Sequence, residues 1–248
     1  RGVQVVIEPP TQENENGGTL TYTIAVKNMG NVQENFQLEK GDNAGWALSL
    51  DNDWLLVPRV ENRTTRLTAN IPSNARGCTW DNIWVKATSK DNVEVFDNES
   101  CLGHVRVVRG VDISISPSYQ SGAPGATLSY TVTVANTGNA EDTYDLIASD
   151  DAGWSPGVSL ASLTVPPQEN RTATLSVTVP LDAMGCTSDN ITVTATSQAD
   201  NTAKDNDNCV AHATIVRGVD VMISPSVNHA ENGQTVTFTV TVRNTGSV

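Results

Sequence analysis

Leu128-Ser129-Tyr130-Thr131-Val132-Thr133-Val134-Ala135 alternates apolar and polar residues and then stops at Asn136-Thr137-Gly138-Asn139. The same stretch stands 108 residues earlier as Leu20-Thr21-Tyr22-Thr23-Ile24-Ala25-Val26-Lys27 before Asn28-Met29-Gly30-Asn31. It returns 108 residues later as Val236, Phe238, Val240 and Val242 before Asn244-Thr245-Gly246. A period of two rich in β-branched residues marks a strand with one buried face. Asn and Gly after it supply the positive φ of a turn.

The repeat extends in both directions. Arg1-Gly2-Val3 returns as Arg109-Gly110-Val111 and Arg217-Gly218-Val219, and Trp46 falls on Trp154 and His104 on His212. A unit of this length is the size of one β-sandwich that closes its own core, not of a solenoid element that needs neighbours. The expected domains are repeat 1 at 1–108, repeat 2 at 109–216 and the opening of a third at 217–248. Val3, Val5 and Ile7 (Val111, Ile113, Ile115; Val219, Val221, Ile223) read as a first strand ending at Pro9, Pro117 and Pro225. Phe36 and Leu38 begin another, and more follow near 53–58, 64–71, 82–89 and 93–108. About seven short strands per repeat, with no helical period, predict an all-β chain of tandem Ig-like sandwiches.

Composition narrows the setting. A net charge of −13 argues against a surface that holds phosphates, and so against nucleic acid. No apolar run approaches the roughly 18 residues of a membrane span. The chain opens at a repeat boundary without Met and ends within a repeat, so it reads as a piece of a longer, processed protein.

Each repeat carries two cysteines, Cys78 and Cys101 or Cys186 and Cys209. They lack the C-x-x-C spacing of a zinc site, and one disulfide per domain is the simpler account. If the last two strands turn near Ser89 to Asn92, the two cysteines face each other across the base of a hairpin. Sequons at Asn62, Asn98, Asn170 and Asn190 add candidate glycosylation sites. Together these features predict an extracellular, cell-surface glycoprotein.

Tyr130-Thr131-Val132-Thr133-Val134 with Asn136-Thr137-Gly138-Asn139, then Glu169-Asn170-Arg171-Thr172-Ala173-Thr174-Leu175 and Val193-Thr194-Ala195-Thr196-Ser197, resembles the Ig-like modules of archaeal and bacterial surface proteins. These are similar to the cell-adhesion-related domain found in bacteria and to the module associated with some α-galactosidases. The resemblance implies an Ig-like fold and a surface setting, in which such modules serve as stalks, adhesive units, filament subunits or enzyme appendages.

No nucleophile constellation, phosphate loop, H-E-x-x-H or G-x-S-x-G motif is present, so no catalytic residue is assigned. No cofactor is expected. The weak calcium candidates are Asp97 and Glu99 with their equivalents Asp205 and Asp207, whose D-x-D or D-x-E spacing offers oxygen ligands without an EF-hand loop.

The repeats differ most at their tryptophans. Trp54, Leu56, Trp80 and Trp84 stand where repeat 2 has Ser162, Thr164, Ser188 and Thr192. Strand parity turns all four outward, beside inward Leu55, Val57, Ile83 and Val85. Exposed aromatic residues mark contacts, here with a neighbouring subunit or domain or with carbohydrate. Whether Trp54 shares a sheet with Trp80 and Trp84 stays open. Lys86, Lys90 and Arg76 give this repeat a basic character that Thr194, Gln198 and Met184 do not reproduce.

Residues 217–248 supply two strands with open edges, which invite completion by the rest of a repeat or by strand donation from another copy. The expected function is a surface stalk, surface layer or filament. The alternatives are an adhesin or carbohydrate-binding array using Trp54, Trp80 and Trp84, and the non-catalytic appendage of a secreted hydrolase.

Overall fold

The computed structural model describes all residues from 1 to 248, and they form strands and turns without a helix. No helix is therefore long and apolar enough to cross a membrane. The chain divides into two compact units, Arg1–Arg109 with Gly138–Glu141, and Gly110–Thr137 with Asp142–Val248.

In the first unit, β1 (Val3–Glu8), β3 (Thr19–Asn28), β7 (Asn62–Asn70) and β5 (Ala47–Leu50) make one sheet in the order β1-β3-β7-β5. The other sheet runs β2-β9-β8-β4-β6, from β2 (Thr11–Asn14), β9 (Phe96–Val105), β8 (Trp80–Ser89), β4 (Glu34–Gly41) and β6 (Trp54–Val57). The inward residues of both sheets form one core: Val5 and Ile7, Leu20 to Val26 at every second position, Phe36 and Leu38, Leu55 and Val57, Leu67 and Ala69, and Ile83, Val85 and Ala87. Tyr22 is fully buried, and its hydroxyl donates to the Leu102 carbonyl at 2.9 Å, so the one polar atom of this ring is satisfied.

The second unit repeats the pattern. Its four-stranded sheet has the order β10 (Val111–Ser116), β12 (Thr127–Asn136), β16 (Asn170–Thr178) and β14 (Gly157–Val158). Its five-stranded sheet has the order β11 (Tyr119–Gly122), β18 (Lys204–Ala213), β17 (Ser188–Ser197), β13 (Asp142–Asp150) and β15 (Ser162–Val165). Register is conserved as well: Val5 lies opposite Val26, as Ile113 lies opposite Val134.

Nine strands form where about seven are expected. Pro9 and Pro10 end the first ladder because they have no N–H to give. The chain then crosses to the other sheet, where β2 pairs parallel with β9. The short β5 and β14 each pair with only one neighbour and carry too few residues to show a period.

The turn after β3 also departs from expectation. Neither Gly30 nor Gly138 has a positive φ. Asn28 is buried, and its side chain makes the turn by donating to the Val57 carbonyl at 3.0 Å and the Val32 carbonyl at 2.7 Å while accepting from the Gly30 N–H at 2.9 Å. Asn136 likewise donates to Val165 at 2.9 Å.

β19 (Val219–Ser224) and β20 (Thr239–Asn244) make a two-stranded sheet whose residues are all exposed. Val236 and Phe238 lie outside β20. Their equivalents Leu20 and Tyr22 sit opposite Ala69 and Leu67 of β7, and β20 has no such partner strand.

Candidate functional site

The tryptophans sort by whether the repeat shares them. Trp46 and Trp154 occupy equivalent positions and are buried in their cores at 5% and 9% exposure. Trp54, Trp80 and Trp84 belong to repeat 1 alone and are exposed at 45%, 52% and 36%. All three project from the outer face of the same five-stranded sheet, which resolves the question left open by the sequence. Trp54 on β6 lies opposite Gln37, and Trp84 on β8 lies opposite Gly41.

Gly41 explains how Trp84 is held. A Cβ at this position would lie 2.4 Å from Cζ2 and 2.9 Å from Nε1 of the Trp84 indole. The ring therefore rests against bare backbone in a space that only glycine leaves open. Repeat 2 places Ser149 opposite Thr192 at this point, so glycine and tryptophan are replaced together. The signal was available in the sequence as an isolated Gly at a strand end, but its partner depended on register.

Other outward pairs follow the same division. Trp80 stacks on His104 with ring centroids 4.2 Å apart, whereas the equivalent pair is Ser188 and His212 at 2.9 Å. The Lys86 ammonium stands 4.7 Å above the Phe96 ring, where repeat 2 has Thr194 and Lys204. Leu56 and Leu102 extend the apolar surface, and repeat 2 has two exposed counterexamples, Ile147 on β13 and Tyr119 on β11, the latter tilted against His212 with ring centroids 5.9 Å apart.

Between Trp54 and Trp84 lies an open depression of about 570 Å³, lined also by Gln37, Leu38, Glu39, Lys40 and Asp53. This is within the roughly 300–1,000 Å³ of small-molecule sites. Its charges are balanced locally. Lys40 Nζ is 3.9 Å from Asp53 Oδ1, and Glu39 lies directly across from Lys86.

The cysteines do not form the expected disulfides. All four are free, with Cys78 and Cys186 exposed and Cys101 and Cys209 buried. The hairpin turns later than its sequence suggests, because β8 ends at Ser89 and β9 begins only at Phe96. Cys101 therefore lies opposite Ile83, and Cys78 donates its N–H to Val105 at 2.9 Å. Val105 is four residues along β9 from Cys101, or about 14 Å at strand rise. A disulfide needs Cα atoms within about 7 Å. Cys209 opposite Ile191 repeats the geometry. Burial raises the thiols of Cys101 and Cys209 to about 12 and about 11, which leaves them unreactive.

The weak calcium candidates have structural work instead. Asp97 Oδ2 accepts the Val5 N–H at 2.8 Å, Asp205 Oδ2 that of Ile113 at 3.0 Å, and Asp207 Oδ2 that of Ile115 at 2.7 Å. These N–H groups belong to β1 and β10, the edges of the four-stranded sheets, and would otherwise lack partners. Glu99 accepts the Ser100 N–H at 2.9 Å. No group of three or more acidic, His or Cys side chains converges as a metal site would require.

The sequons lie on exposed strand positions. Asn62 and Asn170 open β7 and β16, Asn98 lies on β9 opposite Lys86, and Asn190 donates its side-chain amide to Asp151 at 2.8 Å.

The all-β, Ig-like class is supported by comparison. The family described as the VWA7 Ig-like domain matches residues 113–217. No curated protein sequence matches the chain. Among solved structures, the chain is similar to a protein of unknown function from Porphyromonas gingivalis W83, at 12% identity over 84% of this chain and 99% of that one, with a TM-score of 0.34. It is also similar to E. coli alpha-2-macroglobulin, at 11% identity over 89% of this chain and a TM-score of 0.31, and it spans 18% of that protein. A third is the CsuC-CsuE chaperone-tip adhesion subunit pre-assembly complex of Acinetobacter baumannii, at 10% identity over 84% and 98% and a TM-score of 0.30.

Proposed function

We propose that this chain is a non-catalytic part of an extracellular surface protein in which tandem Ig-like modules give reach and the first module makes a contact. The observation that carries the reading is the division between a constant core and a changed face. Inward residues recur from one repeat to the next, while Trp54, Trp80, Trp84 and Phe96 replace Ser162, Ser188, Thr192 and Lys204 on one sheet surface. A core conserved within one chain maintains the sandwich. Three tryptophans and a phenylalanine turned to solvent on one copy, where the other exposes only Tyr119 beside His212, are more than that sandwich requires, and they are the residue types that anchor interfaces.

The modules themselves serve as a stalk, surface layer or filament. Ladder hydrogen bonds run across each sheet and resist extension, and Asp97, Asp205 and Asp207 accept N–H groups of the edge strands β1 and β10. Negative-stain electron microscopy with sedimentation of the native protein tests this reading. Beaded stalks, filaments or sheets are expected. A monodisperse flexible chain with no ordered assembly would contradict it.

A further inference from the structure

We infer that the aromatic face of repeat 1 binds an uncharged polysaccharide chain, lying along a track from Trp54 across Trp84 to Trp80. This rests on the reading of that face as a contact surface.

The first support is the track itself. Trp54 lies opposite Gln37, Trp84 opposite Gly41, and Trp80 four residues farther along β8. With strands about 4.8 Å apart and a rise of about 3.4 Å per residue, Trp54 and Trp84 are separated by about 17 Å and Trp84 and Trp80 by about 14 Å. The three indoles thus lie on a diagonal about 30 Å long, which suits an extended polymer better than a compact ligand.

The chemistry between the rings supplies the second support. Pyranose rings have apolar C–H faces and hydroxylated edges, so they need flat apolar surfaces beside hydrogen-bonding groups. The depression between Trp54 and Trp84 offers both, with Gln37, Glu39, Lys40 and Asp53 between the indoles. Trp84 is held in place beforehand by its seat on Gly41, which lowers the ordering cost of binding.

Charge selects among polymers. The chain carries a net −13, yet on this face Asp53 has Lys40 and Glu39 has Lys86 as a neighbour. A locally neutral surface within an acidic protein gives a polycation no acidic patch to grip, and the surrounding protein repels a polyanion. An uncharged polyhydroxyl chain fits.

The test is a tryptophan-fluorescence and calorimetric titration of the whole chain against soluble β-glucan, xylan and mannan, with polygalacturonate as the anionic control. Asn98→Gln is included throughout, because Asn98 shares this sheet face and a glycan attached there would compete. Trp54→Ser and Trp84→Thr are the test variants. Each installs the residue repeat 2 already uses at the equivalent position, so the fold accommodates it. Saturable binding to a neutral polymer, weakened at least tenfold in either variant and absent for polygalacturonate, is the expected result. Binding unchanged in both variants, or preference for the polyanion, overturns the inference. Sedimentation velocity on the same samples separates the two readings. If no polymer binds but self-association is lost in the variants, the glycan inference fails and the contact surface stands. If neither occurs, both fail.

Discussion

Replacing Gly41 by Ser, the residue at the equivalent position of repeat 2, is expected to dislodge Trp84 and to cost stability only when Trp84 is present. The added Cβ would stand 2.4 Å from Cζ2, well inside contact distance, and the exposed indole can move where the backbone cannot. Trp84 is 36% exposed, so about two thirds of its surface is covered. A buried aromatic side chain withdraws on the order of 150–250 Å² from water. Losing the contact along one ring face removes on the order of 50 Å², worth about 1.3 kcal/mol at ~25 cal/mol/Å². In Trp84→Thr the same Gly41→Ser change meets no ring, recreates the Ser149–Thr192 pairing and is expected to be neutral or mildly stabilising, since Gly weakens strands. Urea denaturation of wild type, both single variants and the double variant gives the coupling, expected at about 1 kcal/mol. Trp84 emission should also shift to the red in Gly41→Ser. Additivity within about 0.3 kcal/mol, with unchanged emission, would refute the seating of Trp84 on Gly41.

Three further outcomes follow from the geometry. A thiol reagent should titrate two cysteines in the native protein, Cys78 and Cys186, and all four once it is denatured; no free thiol under denaturing conditions would restore the disulfides. Calcium chelation should leave the Tm unchanged, while Asp207→Ala should destabilise by about 1–2 kcal/mol with or without calcium, because it orphans the Ile115 N–H. Burial raises the carboxyl of Asp81 above its usual 3.8, with Asp42 adding to the shift, so the folded state holds this proton more tightly than the unfolded chain. The stability it contributes is complete below pH 3.8 and is lost as pH rises through the raised value. Asp81→Asn keeps the acceptor for the Asn43 and Ala44 N–H groups and should gain on wild type between pH 3.5 and 7 in urea midpoints. A constant difference across that range would contradict the assignment.

How far the sequence could be read depended on what a period of two contains. Parity distinguishes the two faces of a strand, and it turned Trp54, Trp80 and Trp84 outward and Ile83, Val85 and Leu55 inward, as the structure places them. It does not say which strands are neighbours. That Trp54 on β6 and Trp84 on β8 flank the same β4 is a matter of long-range pairing, set by the whole sandwich. Register failed for a related reason. The cysteines look symmetric about Ser89 to Asn92, but the loop from Lys90 to Val95 moves the turn and separates Cys78 from Cys101. The roles of Asp97, Asp205 and Asp207 were hidden because their partners, Val5, Ile113 and Ile115, lie 92 residues away in the other sheet. Gly41 gave the clearest unused signal, since its loss in repeat 2 coincides with that of Trp84.

The contact role proposed for the first repeat is tested most directly by oxidative footprinting of tryptophan, comparing the protein in its native material with the purified chain. Trp46 and Trp154, buried in their cores, serve as internal controls and should react little in either sample. Trp54, Trp80 and Trp84 should oxidise readily in the purified chain and be protected in the native material. Equal oxidation of these three in both samples would contradict the account.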